Sequence, residues 1–335
     1  MDLAIDLPVI WAFIIAFAVF AYVVMDGFDL GIGILFPALQ VGTGRNRAMN
    51  SIAPVWDGNE TWLVLGGGGL MAAFPLAYAV ILPATYPLVI AMLLGLVFRG
   101  VAFEFRWRDE RHRALWDAGF FAGSLTAALS QGMILGALLQ GIRVTNRAYL
   151  GSWWDWLTPY TLLTGLGVVA GYALLGACWL VWKTHGELQD RVRRLALHAA
   201  AATLVLMAAV SLYNLFLFEQ YRERWLTMPN ILFTSQVPLL TAIIAYFLLR
   251  GLMKRWEAAP FLLSLALFML GMAGLGISIW PYVVPEAVTI WEAAAPERSQ
   301  LFMLIGVVIT LPLILGYTAW SYWVFRGKVG AEGYH

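Results

Sequence analysis

Apolar stretches of membrane-spanning length recur along this chain, separated only by short charged or Pro/Gly-rich connections. A bilayer core about 30 Å thick takes roughly 20 apolar residues in a helix rising 1.5 Å per residue, and within it every backbone polar group must be satisfied inside the protein. The pattern predicts an all-α integral membrane protein. Nine candidate helices cover about 8–39, 54–74, 78–103, 116–139, 160–182, 199–218, 231–249, 260–280 and 301–324. No soluble domain can be cut out and no internal repeat stands out, so residues 1–335 are expected to form one polytopic unit. A chain that is 61% hydrophobic and 12% charged, with mean hydropathy +0.76, could not cover a soluble surface.

Basic residues give the orientation. One alternate set of connections holds Arg45 and Arg47, then Arg106, Arg108, Arg111 and Arg113, then Lys183, Arg191, Arg193 and Arg194, then Arg250, Lys254 and Arg255, and last Arg326 and Lys328. The other set holds only Arg143, Arg147, Arg222, Arg224 and Arg298. The positive-inside rule then predicts an outer N-terminus and a cytoplasmic C-terminus, with Trp153, Trp154 and Trp156 as outer interfacial anchors. The N-terminus carries Asp2 and Asp6 in place of a basic region, and the first apolar run is too long for a signal peptide, so it reads as a retained span.

A net charge of +1 with dispersed basic residues gives no case for a nucleic-acid partner. Cys178 is the sole cysteine, which excludes an internal disulfide, an iron-sulfur cluster or a thiolate zinc site.

Against this apolar background two acid pairs stand out: Asp26 and Asp29 in DGFDLGIG, and Asp57 and Glu60 in WDGNETW. Each pair has i, i+3 spacing, which puts both carboxylates on one helix face. The first helix reaches Asp26 and Asp29 after about 30 Å of descent, and the second meets Asp57 and Glu60 in its first two turns, so both pairs fall in the cytoplasmic half. Acids at such depth must be neutralised, paired or wetted, and they mark ion or proton paths by default. Glu104 and Arg108 close the third span on the same side, giving a line from Arg108 and Glu104 through Asp57 to Asp29. The bland alternatives are that these acids cap helix ends or pair with a neighbouring Arg, and that Glu104 and Arg108 form a solvated ion pair. Arg99 either snorkels to the interface or pairs with a buried acid, and Asp117 suits the positive end of a helix dipole. Gly27, Gly31, Gly33 and Gly66 to Gly69 would permit close helix approach; without a Lys-Ser/Thr end or a strand before it, the glycine run is no phosphate loop.

All four histidines, His112, His185, His198 and His335, fall in cytoplasmic connections or at the terminus. Membrane haem normally needs a His, Met or Cys ligand at depth; Met and Cys178 remain formally available, but without a His in any span this chain is expected to ligate no haem and no copper.

These motifs carry a resemblance. Residues 26–33 (DGFDLGIG), 50–62 (NSIAPVWDGNETW), 99–105 (RGVAFEF) and 281–296 (PYVVPEAVTIWEAAAP) resemble subunit II of the cytochrome bd-type quinol oxidases, including the cyanide-insensitive branch. The resemblance implies nine transmembrane helices arranged as two four-helix bundles (about 8–139 and 160–280) plus a peripheral helix (301–324), in a bacterial inner membrane. It implies a partner, subunit I, that holds two b haems and haem d, and a complex that oxidises quinol on the outer side and reduces oxygen with cytoplasmic protons. In that family subunit II is assigned a proton pathway. The role carries to Asp57 and Asp29, then to Glu104 and Arg108, with Asp26 and Glu60 beside them; Glu104 is aspartate in some relatives, and Arg108 stands where a lysine is found. Some relatives hold a quinone in this subunit, a bound molecule to which no residue here can be assigned, and small single-helix subunits are a further partner class.

Two other readings compete. A proton-coupled secondary transporter would use the same acids, but such folds commonly carry paired broken helices in both halves, and only the first half here has acid pairs. A scaffold subunit would use them merely to satisfy one another.

Overall fold

The computed structural model describes residues 6–330, so Asp2 and His335 lie outside the described residues. In chain order the elements are α1 (Leu7–Leu35) with a 3₁₀ turn Phe36–Ala38, α2 (Thr43–Asn50), α3 (Trp56–Ala73), α4 (Pro75–Arg108) and α5 (Arg113–Leu139). A two-stranded hairpin of β1 (Val144–Thr145) and β2 (Ala148–Tyr149) leads to α6 (Pro159–Lys183), α7 (Gly186–Asn214), α8 (Glu219–Leu226), α9 (Ile231–Thr234), α10 (Gln236–Met253) and α11 (Ala259–Ile279). A second hairpin, β3 (Tyr282–Val284) and β4 (Val288–Thr289), precedes α12 (Ile290–Ala293) and α13 (Glu297–Val324).

Among the described residues, eight helices are long and apolar enough to cross a membrane: α1, α4, α5, α6, α7, α9 continued by α10, α11 and α13. The predicted second span coincides with α3, an 18-residue helix. It falls outside the eight because Asp57, Asn59, Glu60 and the glycines 66–69 dilute its hydropathy. The sixth span begins at Gly186, thirteen residues before the predicted start at 199, because the basic, amphipathic stretch Gly186 to His198 continues the helix beyond the apolar part. With 34 residues, α4 is about 51 Å long and so carries Glu104 and Arg108 on its last two turns.

Start signals match their physics. The Asp6 side chain accepts from Val9 N–H at the head of α1, and Thr158 and Thr289 form capping boxes with Thr161 and Glu292. In lipid the hydrophobic effect does not drive helices together, so close packing has to do it. At the crossing of α1 and α6 the two chains touch backbone to backbone: a Cβ on Gly31 would lie 1.8 Å from the Tyr172 carbonyl oxygen, and one on Gly176 would lie 2.5 Å from Gly31 C. The glycine run of α3 divides its work. Gly66 and Gly69 face Val19 and Ile15 of α1, while a Cβ on Gly67 or Gly68 would meet nothing within 4 Å.

The helix most enclosed is α6, packed against α1, α5, α7 and α11. Below the glycine crossing, Phe28 stacks on Trp179 at 4.4 Å between ring centroids, and Phe261 closes the cluster edge-on. Most of the hydrophobic stretch of α13 is exposed, and it meets the rest through α1 and α3 along the half-buried Met303, Leu304, Val307 and Leu311.

Candidate functional site

The predicted acids converge where α1, α3 and α4 meet. Asp26 and Asp29 on α1 are fully buried, and Arg99 of α4 reaches both: Nη1 lies 2.7 Å from Asp26 Oδ1 and Nη2 lies 4.0 Å from Asp29 Oδ2. Of the two roles open to Arg99, pairing with buried acid is the one realised. The Trp56 ring stands 5.9 Å from the guanidinium carbon. From α3, Asn59 Nδ2 donates to Asp29 Oδ2 at 2.8 Å and to the Met25 carbonyl at 3.3 Å. From α13, the Tyr322 hydroxyl donates to Asn59 Oδ1 at 2.8 Å. Asp29 Oδ1 is buried and makes no hydrogen bond among the described residues.

Two carboxyls thus share one guanidinium. Burying an unmatched charge costs several kcal/mol, and the single guanidinium matches only one of the two carboxyls. Asp26 holds the closer contact with the cation. Asp29 is held through Oδ2 and makes no hydrogen bond through Oδ1 among the described residues.

Asp57 and Glu60 sit one turn apart on α3, Asp57 exposed and Glu60 half-buried. Both feel the charge of Arg99, and Asp57 feels that of Glu104. Acids and one arginine therefore form a continuous electrostatic group from the exposed Glu104 inward. Arg108 is exposed, and among the described residues it forms no ion pair, with Glu104 or otherwise. The solvated Glu104–Arg108 pair is not formed. In the connection beyond α4, a hydrogen bond with His112, aided by one from Trp116, holds the Asp109 carboxyl below the usual carboxylate range.

Asp117 needs correction. It does not act as a lone helix-end acid: its carboxylate takes Arg45 Nη1 at 2.6 Å and Arg106 Nε, and Arg106 in turn donates to Asn46 Oδ1. This buried cluster clamps α2 to the end of α4 and the start of α5. Asn59 and Tyr322 were missed. Asn59 had a signal, being the amide set between two acids inside a span, whereas Tyr322 had none. A second buried chain also escaped notice, in which Gln131 Nε2 donates to Tyr22 Oη and Tyr172 Oη donates to Gln131 Oε1, each at 2.7 Å.

His112, His185 and His198 are exposed and Cys178 is fully buried, and among the described residues no three His, Cys, Asp or Glu side chains gather as a metal site.

A family model described as cytochrome bd terminal oxidase subunit II matches residues 7–325. The chain belongs to this family. Similar members of the cytochrome bd subunit II family include the cytochrome bd-I ubiquinol oxidase subunit 2 of Escherichia coli (strain K12), 32% identical over 96% of this chain and 95% of its own length. The cytochrome bd ubiquinol oxidase subunit 2 of Bacillus subtilis (strain 168) is 29% identical over 96% of each. Among solved structures, the bd oxidase from Geobacillus thermodenitrificans aligns with a TM-score of 0.77 over 96% of this chain and 99% of that one, at 18% identity, a likeness of fold. Family membership leaves the transporter reading without support.

Proposed function

We propose that this chain is the haem-free second subunit of a two-subunit quinol oxidase in a bacterial inner membrane, and that it carries cytoplasmic hydrogen ions to the oxygen-reducing haem of subunit I. In this reading α3 is the ninth span, the helices form two four-helix bundles with α13 outside them, and the C-terminus is cytoplasmic. The b and d haems belong to subunit I, where they supply the oxygen chemistry; this chain supplies protons and support.

The observation that carries the reading is the pairing of the buried Asp26, Asp29 and Arg99 with a trail of acids leading out to Glu104. Glu104 collects hydrogen ions at the cytoplasmic rim, and the positive Arg108 beside it tunes the local field. Asp57 and Glu60 pass them inward, and Asp29 holds one against the Asp26–Arg99 pair before release. Asp57, Gly67 and Gly68 stand on an open face of α3, where Asp57 is exposed and a Cβ on either glycine would meet nothing within 4 Å. A carboxylate there is unsuited to lipid, which favours this face as the seat of subunit I. A scaffold subunit would need its acids matched by cations, and here four acids surround one arginine.

The test is Asp57→Asn in the assembled complex. Haem content should stay native while quinol-driven oxygen uptake slows severalfold; full turnover would return Asp57 and the trail out to Glu104 to a scaffold role.

A further inference from the structure

A cavity of about 320 Å³ opens at the cytoplasmic ends of α2, α3, α6 and α13, and the acid trail does not use it. Its walls carry Asn50, Ser51, Trp179 and Lys183, and Tyr322 stands at its inner end. The segment after α13 roofs it. Lys183, only 4% exposed, donates from Nζ to the Phe325 and Gly327 carbonyls at 2.6 and 3.3 Å, and Val329 N–H donates back to the Lys183 carbonyl at 2.8 Å. Lys328 ties the strap to Glu257 at 2.8 Å.

Two features make this chamber part of the proton problem. Its inner wall, Tyr322, is bonded to Asn59, and Asn59 is bonded to Asp29. On α3, Asn59 and Asp57 are two residues apart and so project about 200° from each other. The chamber therefore approaches the acid centre from the side away from Asp57 and Glu104. The space suits water: at about 30 Å³ per molecule it has room for several, and an amide, a hydroxyl and backbone carbonyls line it.

We propose that this chamber is a second cytoplasmic inlet to Asp29, roofed by the C-terminal strap and gated by Tyr322. When the Tyr322 hydroxyl leaves Asn59 Oδ1, chamber water reaches the unpartnered Asp29 Oδ1. A hydrogen ion passes from that water to the carboxylate and is replaced from the cytoplasm, with no other bond made or broken. The inference rests on the delivery of hydrogen ions to Asp29 proposed above.

The test uses the assembled oxidase in inverted vesicles, cytoplasmic face outward, carrying Ser51→Cys with either native Asp57 or Asp57→Asn. A membrane-impermeant methanethiosulfonate is added; the natural Cys178 is fully buried. We expect the introduced thiol to react. We also expect labelling to lower oxygen uptake more than twofold in the Asp57→Asn complex, and by less when Asp57 is present, because the first route then still runs. An unreactive thiol, a loss under twofold with Asp57→Asn, or an equal loss in both backgrounds would each overturn the proposal. Should Ser51→Cys lack the haem spectrum of an assembled complex, Asn50→Cys probes the same wall. Native turnover by unlabelled Asp57→Asn would count against the acid trail alone; the chamber would then be judged by the size of the labelling loss itself, a loss under twofold overturning it, and not by the comparison of backgrounds.

Discussion

Arg99 Nη1 lies 2.7 Å from Asp26 Oδ1, and neither side chain reaches solvent. Because Asp29 stands within 4.0 Å of the same guanidinium, the centre holds one carboxyl in excess of its cation. In the proposed function, that excess carboxyl is the one that carries the hydrogen ion.

Removing the cation should therefore damage assembly. Arg99→Met leaves two buried acids uncompensated, a loss on the order of 3–5 kcal/mol. It should show as a lowered thermal transition and a poor yield of haem-loaded complex. Asp26→Asn together with Arg99→Met should recover part of the loss, and a single Arg99→Met as stable as native would contradict the pairing.

Asn59→Leu tests the positioning of Asp29. It removes the donor to Asp29 Oδ2 and the acceptor of Tyr322 at once. The complex should assemble with full haem while oxygen uptake falls about fivefold to tenfold, close to 1.36 kcal/mol for each tenfold. Unchanged uptake would show that Asp29 needs no such anchor.

The α1–α6 crossing has no space for a side chain at Gly31, where a Cβ would collide with the Tyr172 carbonyl. Gly31→Leu should abolish the assembled complex, measured as the loss of its haem spectrum in membranes. Gly316→Ala on the exposed α13 meets nothing within 4 Å and should shift stability by no more than about 0.5 kcal/mol.

Asp117→Asn strips the carboxylate from Arg45 and Arg106, and the Arg106 side chain is wholly buried. The expected cost is on the order of 3 kcal/mol, read as a lower melting temperature with turnover per haem close to native. A selective loss of turnover would instead tie this cluster to the acid trail.

Much of this was legible in the sequence because membrane helices are specified by length and apolar content, which a linear reading recovers. The acid pairs were legible for the same reason, since charge stands out in an apolar run. What could not be read was which faces meet. Arg99 could equally have snorkelled, and its union with Asp26 depends on the rotation of α4 against α1. Tyr322 lies 263 residues from Asn59, and nothing local marks it. Asp117 looked like a helix-end acid because its two arginines come from α4 and from the connection before α3. The glycines of α3 read as a uniform run, yet only the two on the α1 side serve the contact.

The most direct test is hydrogen-ion uptake from the cytoplasmic side when fully reduced oxidase in vesicles meets oxygen, followed with a pH-sensitive dye. Asp29 is common to the acid trail and the proposed chamber. Asp29→Asn with native haem content should therefore slow uptake at least tenfold, and the oxygen reaction should stall at its first proton-requiring step. Uptake at the native rate in that variant would contradict the account.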